Sequence, residues 1–398
     1  MNEQWKSPNI IIGSVATGSN FFRRDDVVEI ILERLMMGCS VQLTAPRRVG
    51  KTSIMQFMVE QPIENFKMIY NNVEGIHSAN EFYERIYFLL LSCLNRMDKA
   101  RIWVKKFLKS RSITKISLDG IEWKMKPDDF LRETSLLLSV INDSPEIENI
   151  VLFLDELPIS LFNINQKKNE EAKSILHNLR YWRQQPELSK KVRFVLAGSV
   201  GLHYVVKAIT GRSAVIGDLS PVKFEPLTYE EAVEYVKWAT DSSSLIFDPA
   251  LIAHLLGKIH YYVPYFINLI LNDINMQAQK INNPEITEQE IDNAFEAIVK
   301  HNDYFQDWED RLQQYMTKAD YNFVNELLTY TAQKGVITLQ EIYDKAVKHD
   351  KTTDYMGFIY DLEKDGYITA VNKKYRFISP FLGAFWKRSN PNNKKINF

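Results

Sequence analysis

Residues 149–156 read Asn-Ile-Val-Leu-Phe-Leu-Asp-Glu. A strand with one covered face alternates apolar and polar side chains, whereas a strand covered on both faces reads as a continuous apolar run. The run Ile150 to Leu154 leaves no polar face. It therefore predicts a central strand of a parallel sheet with helices on both sides. It also ends on two adjacent carboxylates, Asp155 and Glu156.

The flanking sequence supplies the rest of such a sheet. Short strand patterns occur at 40–44, 66–73, 191–199 and 221–227. Between them lie segments with helical spacing: 27–37 after the acidic pair Asp25-Asp26, then 53–59, 80–96, 129–141 and 170–184. Alternating strands and helices predict a doubly wound α/β domain over residues 1–227. Residues 97–128 are basic in their first half and poorly periodic, which predicts an insertion in that domain.

Beyond residue 227 the strand patterns stop. Four consecutive segments between 228 and 301 have helical spacing, and Thr228/Glu231 and Thr287/Glu290 have capping-box spacing. They predict a small helical domain, 228–300, followed by a charged connector helix in 301–317. Residues 318–388 contain three helical patterns and then two alternating segments around Asn372-Lys373-Lys374, the layout of a winged helix. The remainder, 389–398, is polar and is expected to be disordered.

The chemistry concentrates at residues 43–53, Leu-Thr-Ala-Pro-Arg-Arg-Val-Gly-Lys-Thr-Ser. Gly50-Lys51-Thr52 matches the end of the phosphate-loop pattern G-x-x-x-x-G-K-[ST], but Ala45 stands where the first glycine belongs. Pro46 biases Ala45 to an extended conformation, so the strand simply continues one residue further. The stretch lies between a strand and a helix, the context that makes such a match informative.

Phosphoryl transfer needs backbone amides around the phosphates, a lysine, a hydroxyl and a carboxylate for Mg²⁺, and a group that orients water. Lys51 and Thr52 fit the side-chain roles in the loop. Asp155, at the end of the apolar run, fits the metal carboxylate, and Glu156 fits the acid that polarises water.

The whole of residues 14–390 resembles the AAA+/STAND P-loop ATPases, in particular the archaeal-type or MNS-like ATPases. Pro46-Arg47-Arg48-Val49-Gly50-Lys51-Thr52-Ser53 resembles the family's Walker A loop, and Leu154-Asp155-Glu156 its Walker B strand end. Phe21-Phe22-Arg23-Arg24-Asp25 resembles the motif bordering the nucleotide base, with Arg23 where the family favours glycine. Ala197-Gly198-Ser199-Val200-Gly201 resembles the sensor-1 strand. His260 to Phe266 resembles the lid motif whose proline, here Pro264, packs near adenine.

The resemblance implies an ATP-binding and ATP-hydrolysing switch with Mg²⁺ as cofactor. Loop residues 46–53 would hold phosphate, with Phe22, Arg24, Ser199 and Pro264 completing the nucleotide site. Thr52 and Asp155 would hold the metal, and Lys51 and Glu156 would serve catalysis. The lid would pass the nucleotide state to the winged helix. The resemblance leaves open an arginine acting on the γ-phosphate. Arg180, Arg183 and Arg193 stand before the sensor strand, and salt bridges are the competing role for each. The alternative reading is a nucleotide-gated scaffold or DNA-binding regulator that does not turn ATP over.

Composition bears on partners and compartment. A 398-residue chain suggests two or three domains at roughly 150 residues each. A net charge of −1 gives no overall attraction to nucleic acid or anionic membrane. The third helix of the winged-helix region carries Asp354, Asp361, Glu363 and Asp365 against Lys364, a poor match for a DNA backbone. Lys373, Lys374 and Arg376 in the wing, with Lys387, Arg388, Lys394 and Lys395 after it, keep duplex DNA open beside a protein partner or self-association. Cys39 and Cys93 have no neighbour at metal-ligand spacing and fit a reducing interior. The N-terminus lacks the pattern of a signal peptide, and the apolar stretch 86–94 is flanked by Glu84, Arg85 and Arg96, so it reads as a buried helix. The expectation is a cytoplasmic protein without a membrane span.

Overall fold

The structure, a computed structural model, describes residues 4–390 except 62, 96, 98–112, 117–120, 124–128, 146, 199–201 and 302. The chain divides into two compact units.

The first unit comprises residues 23–44 and 51–224. In chain order its elements are α1 (Asp25–Met36), β1 (Val41–Thr44), α2 (Lys51–Glu60), β2 (Phe66–Asn72) and α3 (Ala79–Asn95). A short antiparallel pair follows, β3 (Ile113–Ile116) and β4 (Ile121–Trp123). Then come α4 (Phe130–Asp143), β5 (Asn149–Asp155), α5 (Leu157–Lys167), α6 (Asn169–Gln184) and α7 (Pro186–Ser189). The unit closes with β6 (Val192–Ala197), α8 (Leu202–Thr210) and β7 (Ser220–Lys223).

Five strands form one parallel sheet in the order β2-β5-β6-β1-β7. The continuous apolar run is its middle: Ile150 through Asp155 are all buried. Burial on both faces is what forbids alternation there. Val73, Phe82, Ile86, Leu137, Leu152, Leu161 and Phe194 belong to one core with it. From β1 the chain crosses to the far edge at β2 and returns strand by strand. The carboxyl ends of β1, β5 and β6 therefore open on one edge, where α/β sheets bind ligands.

The strand expected through residue 227 stops at Lys223. Three helices, α5, α7 and α8, are additions to the sequence reading. The expected insertion 97–128 lies mostly outside the described residues, with β3 and β4 the described strands within it.

The second unit comprises residues 4–22, 45–50 and 225–390. Residues 45–50 link β1 to α2 in sequence but belong to this unit by their packing. Its helices are α9 (Tyr229–Thr240), α10 (Pro249–Ile259), α11 (Pro264–Ile281), α12 (Glu288–Lys300) and α13 (Asp303–Tyr315). Both expected capping boxes form: Glu231 N–H donates to Thr228 Oγ1 at 3.2 Å while Thr228 N–H donates to Glu231 Oε2 at 2.7 Å, and Thr287/Glu290 repeat the arrangement. The N-terminal segment lies along these helices. Trp5 Nε1 donates to Asn275 Oδ1 at 3.0 Å and Asn9 N–H to the Ala239 carbonyl at 2.6 Å.

The unit ends in a winged-helix layout. It runs α14 (Lys318–Lys334), β8 (Ile337–Thr338), α15 (Leu339–Lys348), α16 (Tyr355–Lys364), β9 (Ile368–Val371) and β10 (Lys374–Phe377), with the strands in the order β8-β10-β9. Asn372 and Lys373 both take positive φ, 51° and 62°, between the paired residues Val371 and Lys374. Two such residues make the tight turn that matches strand twist. A final helix, α17 (Pro380–Ser389), buries Phe381, Phe385 and Trp386 and ends on the first residue of the expected tail. Residues 391–398 lie outside the described range.

Candidate functional site

Lys51 and Thr52 open α2, directly after Gly50, whose φ is 105°. Only a residue without Cβ adopts that value cheaply, so the last glycine of the loop is required where the first is not. Thr52 Oγ1 donates to Asp155 Oδ2 at 2.6 Å across 103 residues of sequence. The hydroxyl of Tyr70, on β2, donates to the same oxygen at 3.1 Å, and the Glu156 amide donates to Oδ1 at 3.0 Å.

Asp155 is 1% exposed. Burial pushes its pKa up, with the charge of Glu156 adding to the effect. The Thr52 hydroxyl, the Lys51 charge and the Tyr70 hydroxyl pull the other way without cancelling it. Tyr70 in turn is held neutral, first by burial and then by the adjacent carboxylate. The result is a desolvated carboxylate served by hydroxyl and amide donors, on which burial outweighs the charge of Lys51.

That set suits Mg²⁺. The ion takes oxygen ligands, needs only one or two protein carboxylates, and shares its remaining positions with water and substrate phosphates. Thr52 and Asp155 supply one hydroxyl and one carboxylate side by side. Among the described residues no group of three or more His, Cys, Asp or Glu is placed to hold a metal. A site that borrows ligands from phosphate does not need one.

Glu156 takes the left-handed conformation, φ 56°, between β5 and α5. Its carbonyl accepts from Ile159 and Ser160 at 3.1 and 3.2 Å, so the strand-to-helix turn is bonded. A Cβ built on Gly198 would lie 2.4 Å from Pro158 Cδ and 3.6 Å from Glu156 Oε2. Glycine at 198 is thus what lets the end of β6 approach this turn. Ser199, the expected sensor residue, lies outside the described residues.

The other expected residues are placed as follows. In the first unit, Arg24 pairs with Asp26 at 3.3 Å and lies 5.2 Å over the Phe224 ring. Ser53 is buried on α2. Arg183 is bound to Asp218 at 2.7 Å and to the Val215 carbonyl at 3.2 Å. Arg193 donates to Asn149 at 3.0 Å and lies over Phe66, and Arg180 donates to Gln184 at 3.2 Å. Among the described residues, these contacts of the three arginines lie within their own unit.

In the second unit, Phe22 packs edge-on against Tyr235 and Trp238, with centroids 5.2 and 5.5 Å away. Pro264 is the first residue of α11. Val49 is buried. Arg47 and Arg48 both reach Asp307 on α13.

Two participants were not legible in the sequence. Tyr70 sits one strand away from Asp155, and its only signal is the polar end Tyr-Asn-Asn of its strand. Asp307 stands among other acids in a helix with nothing to single it out.

Among the described residues no helix is long and apolar enough to cross a membrane. No family model matches the chain, and no curated protein matches it. Solved structures do. The Walker-type ATPase of Pyrococcus abyssi aligns at 17% identity with a TM-score of 0.63, covering 95% of this chain and 99% of that one. The ORC2 protein of Aeropyrum pernix, solved as ADPNP–ADP complexes, aligns at 13% identity and TM-score 0.51, covering 98% of each chain. The fold is that of the P-loop ATPases.

Proposed function

From that fold we propose that the chain binds ATP on residues 46–53 and hydrolyses it with Mg²⁺, acting as a nucleotide-dependent switch. The observation that carries the reading is the 2.6 Å contact of Thr52 with Asp155. It joins the hydroxyl of the Gly-Lys-Thr sequence to a strand-end carboxylate that is buried.

In this reading the loop amides and the Lys51 ammonium take the β- and γ-phosphates. Thr52 and Asp155 would hold the magnesium, which would neutralise charge developing on the phosphates. Tyr70 is a positioning residue: its hydroxyl fixes the Asp155 oxygen that faces Thr52 and helps keep it ionised against burial. Glu156, held beside Asp155 by the backbone turn, accepts a hydrogen bond from the attacking water and draws its proton as the oxygen attacks phosphorus. The bond to the leaving ADP oxygen then breaks with inversion in line.

We place the functional parts at 1–227 for the ATPase core, 228–300 for the lid, 301–317 for the connector and 318–388 for the winged helix. The finer kinship with STAND or MNS-like ATPases rests on the quoted motifs. Protein contact is favoured over duplex DNA as the output, because α16 exposes Met356 and Tyr360 and carries mainly acidic charge. Phosphate backbones select basic faces.

The test is steady-state ATP hydrolysis and nucleotide binding by the wild type, Lys51→Ala and Glu156→Gln. Lys51→Ala should lose binding and turnover, whereas Glu156→Gln should bind ATP and fail to turn it over. A wild type that neither binds nor hydrolyses ATP, or variants that match it, would sink the reading.

A further inference from the structure

Arg47 and Arg48 sit in the loop proposed to hold phosphate, yet an anion of this chain already occupies them. The Arg47 guanidinium, 5% exposed, is paired with the Asp307 carboxylate and donates to the Asp307 carbonyl at 3.0 Å. Arg48 reaches the same carboxylate at 3.5 Å, and Arg311 approaches it at 3.7 Å. One half-exposed carboxylate thus gathers three guanidinium groups.

Packing closes around this ion cluster. Arg47 lies over the Trp308 ring at 5.2 Å and Arg48 over Tyr265 at 4.8 Å. The Tyr367 hydroxyl, fully enclosed at the start of the wing, donates to the Trp308 carbonyl at 2.8 Å. A Cβ on Gly366 would stand 2.9 Å from Pro46 Cβ, so the loop lies directly against the turn between α16 and β9. The loop, α13 and the winged helix therefore share one junction.

Arg48 also pays a conformational cost in this state. Its φ is 64°, a left-handed value that a branched or long side chain adopts only when its surroundings enforce it. A plain structural brace would not need a strained residue two positions before the phosphate glycine. Strain released when a contact opens is a means of making two states comparable in energy.

The geometry points to Asp307 as a resident anion on the phosphate loop, whose hold is exchanged for nucleotide phosphate. The inference rests on the nucleotide reading above and assigns the regulation of that same site. Phosphates seated on the loop amides bring like charge toward Asp307 and opposite charge toward Arg47 and Arg48. Both effects loosen the latch. Reciprocity then requires that loosening the latch tighten nucleotide, because coupling between two equilibria acts equally in both directions. Opening would free α13 and the turn at Gly366-Tyr367, which is how the winged helix would sense the loop.

The experiment uses the full-length chain and fluorescently labelled ADP and ATP, titrated by anisotropy at low and high salt. Asp307→Asn should bind nucleotide about fivefold or more tightly than the wild type, with the gain shrinking at high salt. Asp307→Glu, which keeps the charge, should stay close to the wild type. In the wild type, saturating ATP should raise amide hydrogen exchange across 303–315 and at 366–367. In Asp307→Asn exchange there should be high from the start and indifferent to ATP. Equal affinities for wild type and Asp307→Asn, with ATP-independent exchange in the wild type, would overturn the latch while leaving ATP binding intact. If Asp307→Asn does not fold, ATP-independent exchange in the wild type alone overturns it. A wild type that binds no nucleotide overturns the reading of the site itself, and the latch with it.

Discussion

Asp155 in the first unit and Asp307 in the second are carboxylates in opposite environments. Asp155 is almost fully buried and meets hydroxyl and backbone donors, and burial lifts its pKa. Asp307 is half exposed and meets Arg47, Arg48 and Arg311. Burial alone would raise its pKa too, but the guanidinium charges outweigh it and the net shift is downward. On the Arg47 side burial lowers the pKa, although a guanidinium stays charged at any working pH. At Asp155 burial therefore outweighs the nearby charge, whereas at Asp307 the guanidinium groups outweigh burial. The first balance suits a place for a ligand, and the second suits a joint.

The comparison is most strongly stressed by neutralising each carboxylate in turn. Asp155→Asn should reduce ATP turnover by about 100-fold or more, the scale seen when one preorganised electrostatic group is removed. Its melting temperature should hardly change, because a buried charge that costs desolvation has been replaced by a neutral amide of the same shape. A large loss of stability with little loss of turnover would invert the assignment.

Asp307→Ala should do the reverse. It leaves Arg47 as a buried cation without its partner, which should cost about 1–2 kcal/mol, at the low end because Asp307 is itself half exposed. Denaturant unfolding measures this, and turnover should not fall. Smaller still is the effect of Tyr70→Phe, which removes one hydrogen bond to Asp155, about 1 kcal/mol. It should appear as a roughly fivefold higher Mg²⁺ requirement for ADP binding, read by titration with the metal, and not as a loss of metal-free binding.

The smallest effect is on acid stability. A carboxylate whose folded pKa is depressed stabilises the fold above its unfolded value and loses that contribution as pH falls through the folded value. Asp307 should therefore contribute fully above its ordinary value of 3.8 and progressively less below it. Unfolding free energies of the wild type and Asp307→Asn, measured from pH 6 down toward pH 3, should converge toward the acid end. A gap that widens on acidification would mean the shift has the other sign.

The sheet unit was largely readable because its signals are local. The uninterrupted run of β5 announces burial on both faces, and Gly50-Lys51-Thr52 needs only the strand before it and the helix after it. Helix α5 was not readable for a physical reason: Leu157 to Leu161 are all buried, so no polar stripe marks a helical face. The junction at Asp307 was invisible for another. Its partners in the loop, Arg47 and Arg48, lie 260 and 259 residues away in sequence, and nothing in Asp303, Asp307 and Asp310 says which of them meets the loop. The resemblance set Arg47 and Arg48 among the residues of the phosphate loop, and in this structure both guanidinium groups also contact Asp307.

The central claim is that a lysine and a buried carboxylate make residues 46–53 a nucleotide site. Its most direct measurement is titration of labelled ATP into the wild type and Lys51→Ala, with and without Mg²⁺. The account predicts saturable binding by the wild type, tightened by Mg²⁺, and a loss on the order of 100-fold in Lys51→Ala as the charge-assisted contacts to phosphate disappear. Binding that ignores both the metal and the lysine, or no binding by a folded wild type, would contradict it.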